Sequence, residues 1–252
     1  MSNPERQVLA VSELSASGGL FWGKPAYVAR TAWGPWLAAL ATLAVLGAAL
    51  VAAGVLAGLR PDTQNLELVV LGVWQGLVVL LTLALVAFRG GARDALALGQ
   101  PRGAPGVYVA AVLLLMLLNA AVSVVQYLTF PQHMYTDLRP FVGFMTGPDW
   151  LLALLVIGVG APLSEELLFR GFLQSALAQS RLGFVGASLI STAMWTALHA
   201  SYTLFGIAQV FLIGLFFCWL LWRTGSLWVA IFCHALYNSL VVIVLRYVPL
   251  PA

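Results

Sequence analysis

Two adjacent carboxylates and one arginine lie inside an otherwise apolar part of the sequence. Glu165, Glu166 and Arg170 interrupt a hydrophobic stretch, and no Asp or Glu follows them. At membrane depth such groups cost about 2.5–3.5 kcal/mol each on insertion scales, which makes them candidates for function. Residues four apart share a helix face, so Glu166 can pair with Arg170, while Glu165 points about 100° away. We therefore expect Glu166–Arg170 to be a supporting pair and Glu165 to be free for chemistry.

Two of the three histidines fall in the same C-terminal region as these carboxylates. His199 follows Trp195 by four residues and His234 precedes Asn238 by four, so each pair shares a helix face. In one alternative, Glu165, His199 and His234 hold a zinc ion that lowers the pKa of its bound water to about 7. In the other, Glu165 and His199 deprotonate a water directly, while His234 and Asn238 stabilise the developing oxyanion. Both alternatives predict hydrolysis, and both use the same residues.

The overall composition indicates an all-α, polytopic membrane helix bundle with about seven to eight transmembrane helices. Of the 252 residues, 62% are hydrophobic and 8% are charged, against about 25% charged in a soluble domain. Apolar runs reach the roughly 20 residues that cross a bilayer as a helix. The net charge of +3 is too small to indicate a nucleic-acid partner. The expected partners are the lipid bilayer and a membrane-associated or lipidated peptide or protein substrate.

We divide the chain into three parts. Residues 1–32 are expected to form a cytoplasmic tail with an interfacial segment, residues 33–149 the N-terminal transmembrane helices and loops, and residues 150–252 the catalytic core. The expected spans are 33–59, 68–88, 107–128, 150–179, 183–199, 205–222 and 227–247. The fourth is long enough to be split at Pro162, which would give eight. Residues 129–149 are expected to form a long connecting loop.

Basic residues predict the orientation of the bundle. With a cytoplasmic N-terminus and seven spans, eight basic residues lie inside and three outside, as the positive-inside rule requires. The inside set is Arg6, Lys24, Arg30, Arg89, Arg93, Arg102, Arg181 and Arg223, and the outside set is Arg60, Arg139 and Arg246. Together with the Ala-, Leu-, Val-, Gly- and Arg-rich composition and short loops, which are typical of a bacterial protein, this predicts a multi-pass protein of the cell (inner) membrane.

Helix geometry leaves one conflict. When depth in the membrane is counted at about 1.5 Å per residue along each helix, Glu165 and His234 are expected to lie toward the cytoplasmic side. His199 is expected to lie nearer the opposite face. A displaced fifth helix would reconcile these depths, and so would a break at Pro162.

The motifs together resemble the CAAX protease and bacteriocin-processing enzyme (CPBP) family, whose members include the eukaryotic Ras-converting enzyme. The resemblance rests on Glu165-Glu166-x-x-x-Arg170, Trp195-x-x-x-His199 and His234-x-x-x-Asn238, and it covers residues 150–238. One departure is visible, because the second motif usually begins with Phe and this chain has Trp195. The resemblance implies an intramembrane protease in which Glu165 and His199 activate water, His234 and Asn238 stabilise the oxyanion, and Glu166 and Arg170 support the helix.

The resemblance leaves the metal and the substrate open. Family members are usually catalogued as metalloproteases, while a metal-free, glutamate-based mechanism has also been proposed. The eukaryotic branch removes the last three residues of prenylated CAAX proteins, and bacterial members are associated with peptide or bacteriocin maturation and immunity. The alternatives to a protease are a non-catalytic membrane partner or immunity protein with structural polar residues, and a proton-coupled transporter.

Overall fold

The chain folds as a bundle of helices. A computed structural model describes residues 20–21, 23–60, 65–103 and 105–250, and in these ranges it contains helices and no strand. The helices are α1 (Pro35–Leu59), α2 (Leu66–Arg89), α3 (Ala92–Ala95), α4 (Gly106–Thr129), α5 (Arg139–Thr146), α6 (Trp150–Ala178), α7 (Gly183–Ala197), α8 (Leu204–Thr224) and α9 (Leu227–Tyr247). The predicted all-α class is confirmed. The division into three parts stays a prediction, and most of the predicted tail lies outside the described residues.

Six of the described helices are long and apolar enough to cross a membrane: α1, α2, α4, α6, α8 and α9. The seventh predicted span corresponds to α7, which has 15 residues. At 1.5 Å per residue α7 is about 22 Å long, shorter than the roughly 30 Å hydrocarbon core. The predicted count of seven to eight is therefore approximate: six full-length spans and one shorter helix make a multi-pass membrane protein.

The loops collect at two ends of the bundle. At one end, the backbone N–H groups of Ala26 and Tyr27 donate to the Trp222 carbonyl, and that of Leu227 donates to Ala97. At the other end, Asp137 accepts hydrogen bonds from Thr203. Successive long helices are therefore connected alternately at one end of the bundle and at the other, as a seven-span arrangement requires. Although α7 is short, it also runs between the two ends.

Helix α6 is the central element of the bundle. Half of its most apolar 18-residue window is buried inside the protein, against 22% in each of α1, α2 and α4. Every residue of the segment Glu166–Leu173 is buried. A helix that is buried on all sides can carry polar groups only if neighbouring helices supply their partners.

Helix α6 continues through Pro162 rather than breaking there. Two π-helical segments, Leu154–Gly160 and Glu166–Leu173, widen its turns on either side of the proline. The N–H of Ala161 accordingly donates to the Val156 carbonyl, five residues back. Such π-segments are rare in proteins, and many of those that are found lie at functional sites. They allow one continuous helix to carry both the proline and the carboxylates.

Residues 129–149, for which the sequence predicts a long connecting loop, contain helical structure. A 3-10 turn at Pro131–His133 is followed by α5. Met145 of α5 packs with Val242 and Leu245 of α9 in a small second core, and Arg246 donates to the Thr146 carbonyl. Helix α5 is therefore fixed against the end of α9.

Candidate active site

Helices α6 and α9 run antiparallel and stay in contact along most of their length. The register can be followed through four pairs, which are Gly171–Leu227, Glu166–His234, Ile157–Asn238 and Trp150–Tyr247. This register places the His234-x-x-x-Asn238 motif beside α6.

Helices α6 and α7 form a second antiparallel pair. Gln174 donates to the Ser188 hydroxyl, the Ser191 hydroxyl donates to the Phe169 carbonyl, and the Trp195 indole donates to Glu165. The Trp195–Glu165 bond places His199 about one helical turn beyond the level of Glu165, so the two motifs lie close together and not at opposite faces. The C-terminal half of α6 extends past the start of α9 and pairs with α7. Glu165 therefore reaches Trp195 without a break of α6 at Pro162.

Glu166 lies at the centre of a buried charged cluster. Its Oε1 accepts a hydrogen bond from Arg170 Nη1 at 3.3 Å and one from His234 Nδ1 at 3.0 Å. The side chains of Glu166 and Arg170 are both 0% exposed. The predicted Glu166–Arg170 pair is thus present, and the structure adds His234 as a second partner of the same carboxylate oxygen. A buried carboxylate needs such partners, because an unpaired buried charge is strongly destabilising.

Glu165 has a different partner from Glu166. Its Oε2 accepts a hydrogen bond from the indole N–H of Trp195 at 2.7 Å. The guanidinium carbon of Arg170 lies 4.2 Å from the centre of the same indole ring, within the distance at which a cation is attracted to an aromatic face. Trp195 therefore connects the two carboxylates: its edge binds Glu165 and its face covers the arginine that pairs with Glu166.

His199 lies between two aromatic rings. Its ring centroid is 5.1 Å from that of Trp195 and 5.2 Å from that of Tyr202, in edge-to-face contacts. The Nδ1 atom of His199 lies 3.3 Å from the Trp195 carbonyl, to which its N–H donates. In a neutral ring this leaves Nε2 as the hydrogen-bond acceptor. His199 can therefore act as a base through Nε2.

Tyr202 extends the site toward the connection between α7 and α8. Burial, with smaller contributions from the nearby Glu165, Asp137 and Tyr237, raises the pKa of Tyr202 to about 12. The phenol therefore remains protonated at neutral pH and keeps its capacity to donate a hydrogen bond.

Asn238 supports the backbone of α6. Its Nδ2 donates to the carbonyl of Ile157 at 3.2 Å. In the i→i+5 pattern this carbonyl would pair with the N–H of residue 162, but that residue is Pro162, which has none. Asn238 thus satisfies a carbonyl that the proline leaves without a backbone partner, and its amide retains a second N–H.

Sequence reasoning missed two residues that shape the site. The Phe217 ring stacks on the His234 imidazole at 4.7 Å. A Cβ at Gly214 would lie 2.7 Å from Arg170 Nη2 and 2.9 Å from Trp195 Cε3, so only glycine lets α8 approach this closely. A phenylalanine and a glycine in an apolar helix carry no local signal for such contacts.

The predicted zinc ligands do not form a three-ligand group in this structure. Among the described residues, no group of three His, Cys, Asp or Glu side chains is arranged to hold a metal ion. His234 directs Nδ1 to Glu166 and His199 directs Nδ1 to its own helix, so only Nε2 of each ring is left to bind a metal. The zinc alternative stays a prediction, and no step of the mechanism proposed below needs it.

The structure thus brings six of the seven predicted site residues into one chain of contacts. In order these are Glu165, Trp195, Arg170, Glu166 and His234, with His199 against Trp195. Asn238 lies one helical turn beyond His234 and bonds to α6 instead.

Comparison with known proteins identifies the segment that carries this site. Residues 147–240 match the family described as type II CAAX prenyl endopeptidase Rce1-like. An uncharacterized 24.3 kDa protein of Escherichia coli is 37% identical over 91 residues, which are 34% of this chain and 41% of that protein. YdiL of Bacillus subtilis (strain 168), named as a candidate membrane peptidase, is 33% identical over 98 residues, which are 36% of each chain.

The family match is confined to the part of the chain that contains the site. The chain spans less than half the length of the two curated relatives, and no solved structure matches it significantly. The matched segment contains the predicted motifs on α6, α7 and α9. Residues 147–240 are therefore similar to the Rce1-like CAAX prenyl endopeptidase family, in agreement with the resemblance of the three motifs.

Proposed function

We propose that this protein is an intramembrane endopeptidase that hydrolyses a peptide bond of a membrane-associated or lipidated peptide or protein. One observation carries the proposal within the family: the two adjacent carboxylates have different partners. Glu166 is neutralised by Arg170 and faces His234, whereas Glu165 accepts its hydrogen bond from the uncharged indole of Trp195. A carboxylate that is not consumed by a salt bridge can act as a general base.

In the proposed reaction, Glu165 and His199 activate a water molecule. A water proton moves to the Glu165 carboxylate while its oxygen, oriented by Nε2 of His199, attacks the carbonyl carbon of the substrate. The carbon–oxygen double bond opens to an oxyanion. When the carbon–nitrogen bond breaks, the proton passes from Glu165 to the leaving amine, and the carboxylate is regenerated.

His234 and Asn238 are proposed to stabilise the oxyanion. Because Nδ1 of His234 faces Glu166, its Nε2 can donate only when the ring carries both protons. In that form, the charges of Arg170 and His234 balance those of Glu165 and Glu166. Asn238 would contribute the second N–H of its amide.

The activity can be tested with two peptides that differ in one lipid. Full-length protein in phospholipid vesicles is incubated with a fluorogenic peptide ending in a CAAX sequence, farnesylated or unmodified at the cysteine. Cleavage of the farnesylated peptide alone supports a prenylated substrate, and cleavage of both supports a peptidase without lipid selectivity. If neither peptide is cleaved, with the fold verified, the proposal fails for this substrate class.

Metal dependence is a separate measurement on the same sample. The metal-free mechanism predicts that a zinc chelator leaves cleavage unchanged and that the purified protein contains much less than one zinc per chain. Stoichiometric zinc and loss of cleavage on chelation would instead support the zinc alternative.

A further inference from the structure

Tyr202 lies beside the proposed water-activating residues, in the connection between α7 and α8. Its ring packs edge to face against the His199 imidazole, with centroids 5.2 Å apart and an angle of 75°. Its backbone N–H donates to the His199 carbonyl at 2.9 Å. Ring and backbone together fix Tyr202 relative to His199.

The segment between α4 and α6 holds Tyr202 from the other side. The next residue, Thr203, donates to Asp137 through its backbone N–H and through its hydroxyl, both at 2.8 Å. The Phe141 ring of α5 lies 6.5 Å from the Tyr202 ring. The tyrosine is thus held between two parts of the bundle, and its position is fixed before any substrate binds.

The Tyr202 hydroxyl is left available as a hydrogen-bond donor. Glu165, Asp137 and Tyr237 are near enough to the phenol to help raise the pKa of Tyr202. In the described part of the chain no group forms a hydrogen bond with it. The hydroxyls of Tyr27 and Tyr237, by contrast, bond to Ser175 and Asn119.

We propose that Tyr202 is a further catalytic residue, whose hydroxyl donates a hydrogen bond to the carbonyl oxygen of the peptide bond being hydrolysed. This inference rests on the proposed peptidase function. A fixed donor next to the attacking water contacts the same carbonyl group that His234 and Asn238 approach from α9. Because the oxygen becomes negatively charged only as the reaction proceeds, the bond strengthens in the transition state and acts mainly on kcat.

The test removes the hydroxyl and keeps the ring. In Tyr202→Phe, kcat for the peptide that the wild-type protein cleaves should fall at least tenfold, with KM within about twofold of wild type, since loss of one oxyanion donor typically costs about 100- to 1000-fold. Tyr27→Phe is the matched control: it loses a hydroxyl that bonds to Ser175, and it should cleave like wild type. Thermal unfolding of both variants checks the fold.

The outcomes separate this inference from the function on which it rests. If wild type and Tyr27→Phe cleave the peptide and Tyr202→Phe cleaves it equally fast, the tyrosine contact is wrong and the peptidase proposal stands. A rise in KM with unchanged kcat also overturns the contact to the reacting oxygen. If wild type cleaves no peptide, both proposals fail. Should Tyr202→Phe unfold, Tyr202→Gln keeps a donor and should retain more kcat than Tyr202→Leu, and equal rates in these two would contradict the inference.

Discussion

At the scale of single residues, the two glutamates differ because of what lies beside them. Glu166 is enclosed by Arg170 and His234, and Glu165 meets the edge of Trp195. The sequence predicts the first partner, since a spacing of four fixes the Glu166–Arg170 pair on any helix. It does not predict the Glu166–His234 bond, because that bond depends on the rotation and register of α9 against α6.

Replacing Trp195 with Phe should weaken the hold on Glu165 without disrupting the helix. The variant keeps an aromatic ring beneath Arg170 but loses the indole N–H that binds the carboxylate. Hydrogen bonds to charged groups contribute about 1.5–3 kcal/mol, so we expect a loss of stability of that order in thermal unfolding and slower, residual cleavage.

Trp33→Phe provides the control for this substitution. Trp33 is also buried, but its indole nitrogen has no hydrogen-bond partner among the described residues. Trp33→Phe therefore removes an indole N–H that forms no hydrogen bond with the described residues, and loss of this N–H should not lower stability. Equal losses of stability in the two variants would contradict the proposed role of the indole–carboxylate bond.

At the scale of helices, boundaries were easier to predict than contacts. Helix α9 has the predicted bounds, because Gly225 and Ser226 precede it and a proline follows closely after it. Pro162 is harder to read, since a proline inside an apolar run indicates either a break or a tolerated distortion. Which one occurs depends on whether another helix supplies a donor for the freed carbonyl, and here Asn238 does.

The coupling between Pro162 and Asn238 can be measured in a double-mutant cycle. Asn238→Leu should destabilise the protein because the Ile157 carbonyl loses its donor. In a Pro162→Ala background, the new backbone N–H can take that place, so Asn238→Leu should cost less. We expect a coupling energy of about 0.5–3 kcal/mol in chemical or thermal unfolding. Additive effects would show that Asn238 does not compensate for the proline.

Gly214 tests the close approach of α8 to the charged cluster. A Cβ in Gly214→Ala would lie 2.6 Å from Thr192 Cγ2 and 2.7 Å from Arg170 Nη2. Overpacking of this kind typically costs about 1–3 kcal/mol, and we expect a matching fall in stability together with reduced cleavage. Gly47→Ala is the control, because nothing lies within 4 Å of its added Cβ. A Gly214→Ala protein as stable as the Gly47→Ala protein would contradict the close approach.

At the scale of the whole molecule, the two ends of the bundle differ in charge. One end is formed by residues 20–21, 23–34, 89–103, 105–106, 179–183 and 223–227. It carries seven of the eight basic residues that the sequence predicts to lie inside, and the eighth, Arg6, lies outside the described residues. The spans predicted from hydropathy place these basic residues at one end, as the structure does, although the predicted fifth span is longer than α7. The side of the membrane that each end faces stays a prediction.

Cysteine labelling in oriented vesicles can determine that orientation. Ser180→Cys lies at the Arg-rich end and Ser201→Cys at the other, while the native Cys218 and Cys233 are buried and should add little background. A membrane-impermeant maleimide should label Ser180→Cys in inside-out vesicles and Ser201→Cys in right-side-out vesicles. The reverse pattern would show that the N-terminus is not cytoplasmic.

The central claim is that Glu165 performs the chemistry and that its neighbour does not replace it. The most direct measurement compares peptide cleavage by wild type, Glu165→Gln and Glu67→Gln in vesicles, with thermal unfolding measured in parallel. Glu67 is exposed at the start of α2 and serves as the matched control. We predict that Glu165→Gln stays folded and loses cleavage by at least 1000-fold, a fall of about 4 kcal/mol in transition-state stabilisation, while Glu67→Gln cleaves like wild type. A folded Glu165→Gln protein that cleaves at the wild-type rate would contradict the account and leave the buried polar cluster with a structural role.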